Sequence, residues 1–156
     1  MSDEANPPPE RDGDEACKTV YLVSCVKQKR SGPVAAKDLY QSAWFIKSRS
    51  YVEASGHPWF ILSAKYGLVA PNTLIDYYEK TLNMMNAVER RQWAALVAKQ
   101  LRVKVGQTDR FVVLAGARYR QFLMPVLRSM ATTVEIPMEG LRFGEQLRWL
   151  RRNVKA

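Results

Sequence analysis

Short apolar runs that stop abruptly in small or polar residues constrain this chain more than any other feature. At residues 59–62 the run Trp-Phe-Ile-Leu gives way at once to Ser63, Ala64, Lys65, Tyr66 and Gly67. The design recurs at residues 19–25, 111–115 and 133–136, which end in Ser24-Cys25, in Gly116-Ala117-Arg118 and in Pro137-Met138-Glu139. Runs this short, rich in β-branched and aromatic residues, read as strands. Apolar throughout rather than alternating, they read as strands covered on both faces. At the end of the second run, Gly67 is placed to supply a positive φ for a turn.

The segments between the runs are helical in pattern. Over residues 35–54, Leu39, Ala43 and Ile46 lie at i, i+4, i+7, with Tyr40, Trp44 and Phe45 widening the stripe. Asn86 with Glu89 forms a capping-box signature opening a helix over residues 87–104, where Trp93, Val97 and Leu101 share one face. Tyr119, Phe122, Leu123, Val126, Leu127 and Met130 mark the next helix, with Pro125 signalling a kink or a late start. A last helix over residues 144–153 buries Leu147 and Leu150 and exposes Arg148, Arg151 and Arg152. Strand and helix therefore alternate, which predicts an α/β fold: a single three-layer domain with a four-stranded, mainly parallel sheet between helices. Right-handed crossovers place the carboxyl ends of parallel strands on one edge, where such sheets bind ligands. Residues 24–29, 63–67, 116–119 and 137–140 are thus expected to converge in one composite site.

Charge narrows the class of ligand. Residues 1–16 carry six acids against one base, a net −5, which leaves +14 on residues 17–156 of a chain whose total is +9. The proline-rich acidic tail has too few apolar residues to fold, so residues 1–16 are expected to be disordered and 17–156 to form the domain. A small domain this basic favours a polyanion, most commonly nucleic acid. Two cysteines, Cys17 and Cys25, are too few for a disulfide framework. With no apolar run of membrane-spanning length and no secretory signal, a cytoplasmic protein is expected.

The converging segments offer hydroxyls (Ser24, Ser63), a thiol (Cys25), lysines (Lys27, Lys29, Lys65) and the glycines Gly67 and Gly116. Ammonium groups and backbone amides beside small residues suit phosphate, and Arg118 extends that set. Tyr40, Tyr66, Tyr77 and Tyr78 offer faces on which a base can stack or a core can pack, and Tyr119 is a further candidate binding residue. Cys25 has no histidine nearby to make it a nucleophile, and a buried structural thiol is the simpler reading. His57 precedes Pro58 at the other end of its strand, so no metal site and no cofactor are expected. Neither a phosphate-binding P-loop nor a dinucleotide glycine fingerprint occurs. Carboxylates are scarce in the body. Asp76 and Glu79, in the long connection over residues 69–85, are the best placed for general-base work or for stabilising a sugar cation. Asp38, near a helix start, is equally explained by the helix dipole.

Several stretches carry a family resemblance. SCVKQK after the first run, DLYQSAWFIKSRSY, WFILSAKYGLVAP with IDYYEKTL, and GLRFGEQLRWL together resemble a poorly characterised bacterial α/β family over residues 19–152. Residues 61–82 also resemble, more distantly, a segment of the YaaA-type peroxide-stress proteins, which bind DNA. The domain as a whole is similar to the uracil-DNA-glycosylase-like superfamily, in which antiviral members excise modified bases from phage DNA. That resemblance implies DNA bound at the carboxyl edge, a base flipped into a pocket, and hydrolysis of an N-glycosidic bond. The glycosylase motif G-x-D-P-x-H is replaced here by Ser24-Cys25-Val26-Lys27-Gln28-Lys29, and no H-P-S-P motif follows, so Asp76 or Glu79 would have to activate water. On this reading the lysines hold flanking phosphates and Tyr66 or Tyr78 stacks on the base. The expected partner is DNA, with no membrane and no obligate protein partner. Two alternatives stand beside it: a non-catalytic DNA-binding stress-response module and a nucleotide deoxyribosyl transferase.

Overall fold

The computed structural model describes residues 18–25 and 31–154. In chain order the elements are β1 (Thr19–Ser24), β2 (Val34–Ala35), α1 (Ala36–Leu39), α2 (Ala43–Ser55), β3 (Trp59–Ser63), β4 (Gly67–Val69) and β5 (Leu74–Ile75). A 3-10 turn (Leu82–Met84), α3 (Ala87–Lys104), β6 (Thr108–Leu114), α4 (Ala117–Arg120), α5 (Met124–Met130), β7 (Ala131–Glu135) and α6 (Phe143–Asn153) follow. The fold is α/β, with a mostly parallel central sheet flanked by helices.

Five strands, rather than the four expected, make up the sheet, in the order β4-β3-β1-β6-β7. β3, β1, β6 and β7 are parallel, and β4 runs antiparallel against β3 with Ser63 opposite Gly67. β1 is central: Tyr21 pairs with Trp59 on one side and with Val112 on the other. Six consecutive residues of β1 are buried, as a strand covered on both faces requires. β7 departs from that pattern. It forms the far edge, its Thr132, Thr133 and Glu135 are exposed, and Glu135 grips Arg110 of β6 through two bonds of 2.7 and 2.9 Å.

From β1 the chain crosses to β3 in one direction, and from β3 it crosses back past β1 to β6. Right-handed connections in opposite directions place their helices on opposite faces. Accordingly α2 packs with α6 on one face, Tyr51 meeting Trp149 edge-on at 5.1 Å. α3 lies with α4 on the other, Trp93 meeting Tyr119 at 5.5 Å.

Two helices differ from expectation. The helix predicted over residues 35–54 is broken: Tyr40 is extended, and Ser42 starts α2 by accepting the Phe45 amide at 3.1 Å. Its buried face is Trp44, Phe45, Ser48 and Val52, whereas Ala43 is exposed and Ile46 is 52% exposed. Pro125 marks a late start, at the first turn of α5, as its missing N–H allows. The capping box at Asn86 and Glu89 is present in both directions. Leu150 of α6 is fully buried, while Leu147 is only half-buried. No helix among the described residues is long and apolar enough to cross a membrane.

Candidate functional site

Strand order reverses between β1 and β6, so the helices leaving them diverge to opposite faces and open a crevice at the carboxyl edge. Open α/β sheets bind ligands at such a switch point. A cavity of about 470 Å³ occupies it here. Ser24 and Cys25 at the end of β1, and Gly116 to Tyr119 after β6, form its floor and one wall. Ser42 and Trp44 at the start of α2 form another, and Asn83 and Phe143 stand at its margins.

The walls are braced. Trp44 donates its indole N–H to Gln146 Oε1 at 2.8 Å, and Gln146 donates in turn to the Leu141 carbonyl at 2.9 Å. Both ends of that amide are used, so Gln146 serves as structure. Ser42 lines the cavity while capping a 13-residue helix, which directs the positive end of the α2 dipole toward it. Ser24, Asn83 and Arg118 make no side-chain hydrogen bond or ion pair among the described residues, which leaves a hydroxyl, an amide and a guanidinium for a ligand. Phe143 is 63% exposed at the mouth. No carboxylate lines the cavity among the described residues.

The floor rests on a buried polar cluster. Cys25 Sγ lies 3.0 Å from the Tyr119 phenol. Behind them, the phenols of Tyr40 and Tyr78 are 2.6 Å apart, and Ser63 donates to Tyr78 at 3.0 Å. Burial pushes all three phenols well above the ordinary tyrosine range, with the neighbouring Cys25 adding to the shift. They are therefore neutral donors throughout the physiological range.

Of the residues expected at the site, Ser24, Cys25, Gly116, Arg118 and Tyr119 come together in the cavity. Tyr40, Tyr78 and Ser63 belong to the cluster behind it, too buried to stack on a ligand. The Ser63-to-Gly67 segment does not converge on the cavity, because the chain reverses there into β4 at the sheet edge. Ser63 Oγ accepts the amides of Lys65 and Tyr66 and holds this turn closed. Lys65 lies over the Tyr66 ring at 5.3 Å, on another face. Tyr66 packs edge-on against Tyr78. Gly67 has φ +76° and sits against Gln100, so it is a turn and packing glycine rather than a phosphate cradle. Asp76 and Glu79 are exposed, and neither lines the cavity; Glu79 accepts the Tyr77 phenol at 2.8 Å. The period of the connection explains this, since Tyr78 turns inward and its neighbours turn outward. Asp38 is tied to Arg49 at 2.8 Å. Lys27 and Lys29 lie outside the described residues. Sequence reasoning missed Ser42, Asn83 and Phe143; only Ser42, a helix-capping residue, left a signal.

A family model described as "Family of unknown function (DUF6884)" matches residues 20–152. An uncharacterised protein of Bacillus subtilis (strain 168), YfjM, is 29% identical over 123 residues, which cover 70% of this chain and 77% of that protein. No solved structure matches.

Proposed function

The chain belongs to the DUF6884 family, and from its site we propose an enzyme that takes a modified DNA base into the cavity and breaks the N-glycosidic bond. The observation that carries this reading is the cavity itself. At about 470 Å³ it falls within the size range of small-ligand sites, and its apolar walls hold a few unpartnered polar groups. A flipped base needs these things: a flat apolar slot and hydrogen-bonding groups for its edge. Ser24 and Asn83 would meet that edge, with Tyr119 and Cys25 at the floor. Defence against phage with modified DNA, and a uracil-DNA-glycosylase-like relationship, belong to the same proposal. Its structural support is the parallel sheet with a cavity at the carboxyl edge.

The chemistry is argued from the leaving group. Glycosidic cleavage passes through an oxocarbenium-like state, and the departing base gains negative charge. Arg118, the Asn83 amide and the positive end of α2 line or face the cavity and would supply the donors and dipole that such charge calls for. With Asp76 and Glu79 outside the cavity, departure of the base rather than attack of water would be the step most assisted. The absence of a lining carboxylate among the described residues favours a second reading, a domain that holds a base without cleaving it. It counts equally against a deoxyribosyl transferase that needs a carboxylate nucleophile.

The test is incubation of the purified protein with unmodified and phage-type modified DNA, then alkali and a strand-break gel. Breaks confined to modified DNA are expected, and their loss in Gly116→Leu would assign them to the cavity. Gly116 has φ −72°, which any residue adopts, and a Cβ there meets nothing within 4 Å. No breaks on any DNA that the protein binds would leave the non-catalytic reading.

A further inference from the structure

Beside the cavity, and sharing Ala117 and Arg118 with it, lies a second cleft of about 610 Å³. Four guanidinium groups line it, those of Arg90, Arg118, Arg120 and Arg128, against the single carboxylate of Glu139. They come from three helices, α3, α4 and α5, so the cluster is made by tertiary packing rather than by one charged segment.

The arginines differ in how far they are committed. Arg120 donates to the Ala115 carbonyl at 2.9 Å and lies 3.6 Å from the exposed Glu139. Arg118 and Arg128 are exposed and make no hydrogen bond or ion pair among the described residues. Arg90 is the telling one. It is 7% exposed and held by the Met85 carbonyl at 2.6 Å and by Gln121 at 3.3 Å. No carboxylate pairs with it among the described residues. A buried charge is costly unless a counter-charge meets it. A guanidinium held rigidly in a cleft without one is preorganised for an anion that arrives from outside.

We propose that this cleft binds the backbone phosphate of the nucleotide next to the one whose base occupies the cavity. Placement supports a phosphodiester over a free anion, because the cleft adjoins the cavity and shares Ala117 and Arg118 with it as lining residues. Forked guanidinium donors match phosphate oxygens in pairs. The inference rests on the base-in-cavity reading and deepens it: the substrate is a base within a polynucleotide, and a free nucleoside would leave the arginines empty.

The experiment is fluorescence anisotropy with a labelled DNA oligonucleotide containing 5-hydroxymethylcytosine, titrated across a salt series. Wild type is compared with Arg118→Gln/Arg128→Gln, with Gly116→Leu, and with Arg102→Gln/Lys104→Gln. The last pair is exposed at the end of α3, lines neither space and removes the same charge. The cleft variant should bind about tenfold more weakly at low salt and lose about 1 to 2 from the slope of log affinity against log salt, as one or two lost phosphate contacts require. The control should keep the wild-type slope. Equal losses in cleft and control variants would overturn the proposal, because binding would then reflect overall charge. A wild-type slope in the cleft variant, or no DNA binding by wild type, would also overturn it. If the cleft variant loses slope while Gly116→Leu keeps both affinity and strand cleavage, the cleft stands and the base-in-cavity reading fails.

Discussion

Replacing Gly67 by alanine separates the cost of a backbone conformation from the cost of a displaced neighbour. Gly67 sits at φ +76°, where an L residue is penalised by about 1 to 2 kcal/mol. An added Cβ would also collide with Gln100 Oε1 and crowd Leu96 Cδ2 at 3.1 Å. Gln100 is a flexible side chain and can move, but it does so only by giving up two bonds. It accepts the Leu68 amide at 2.7 Å and donates to the Tyr66 carbonyl at 3.1 Å. Each is worth about 1 kcal/mol net, so Gly67→Ala should cost about 3 to 4 kcal/mol in all. In a Gln100→Ala background those bonds are already gone, and the same substitution should cost only the backbone share, about 1 to 2 kcal/mol. Urea unfolding of the four proteins closes the cycle, with an expected coupling of about 2 kcal/mol between the two sites. Equal costs in both backgrounds would refute the reasoning and leave the collision without consequence.

Two further outcomes concern the interior. Tyr40, Tyr78 and Tyr119 hold their protons more tightly folded than unfolded, so their stabilisation is complete below the unfolded value near pH 10 and is lost as pH rises toward the folded values. Each phenol should contribute about 1.4 kcal/mol per pH unit to that decline, and Tyr78→Phe should flatten urea-derived stability between about pH 10 and 11.5 by that amount; an unchanged slope would mean the phenols are not differentially held. Ser48 is fully buried on α2 and its hydroxyl has no partner among the described residues, so Ser48→Ala should leave stability unchanged or raise it by about 1 kcal/mol in thermal unfolding, and a clear loss would reveal a bond that the geometry lacks.

Much of this fold is written locally. The β1, β3 and β6 runs, the cap at Asn86 and Glu89, and the late start at Pro125 all follow from short-range chemistry, and each appears where expected. What fails is whatever tertiary packing decides. Residues 67–69 are too short a run to announce a strand, and only pairing with β3 makes β4; the turn before it therefore read as a site loop. The stripe of Leu39, Ala43 and Ile46 looked continuous, but Tyr40 leaves helical geometry to reach Tyr78, and α2 restarts in a different rotation. The cavity was legible in part, because topology alone brings Ser24 and Cys25 to Gly116 and Tyr119. Its other walls come from α2, the 3-10 turn and α6, whose approach no local pattern records. The arginine cleft was hidden for the same reason: Arg90, Arg118 and Arg128 look like ordinary surface charge until three helices converge.

The bonds that close the cavity also fix when it can exist. Cys25 meets Tyr119 across 94 residues of chain, and Trp44 meets Gln146 across 102. Loops that long are closed late, after local helices have formed. During synthesis the floor cannot assemble before β6 and α4 have emerged, nor the Trp44 wall before α6 has. A ligand of this cavity would thus act as a gauge of completion: it would stabilise only the finished domain and give nothing to a chain stalled before α6.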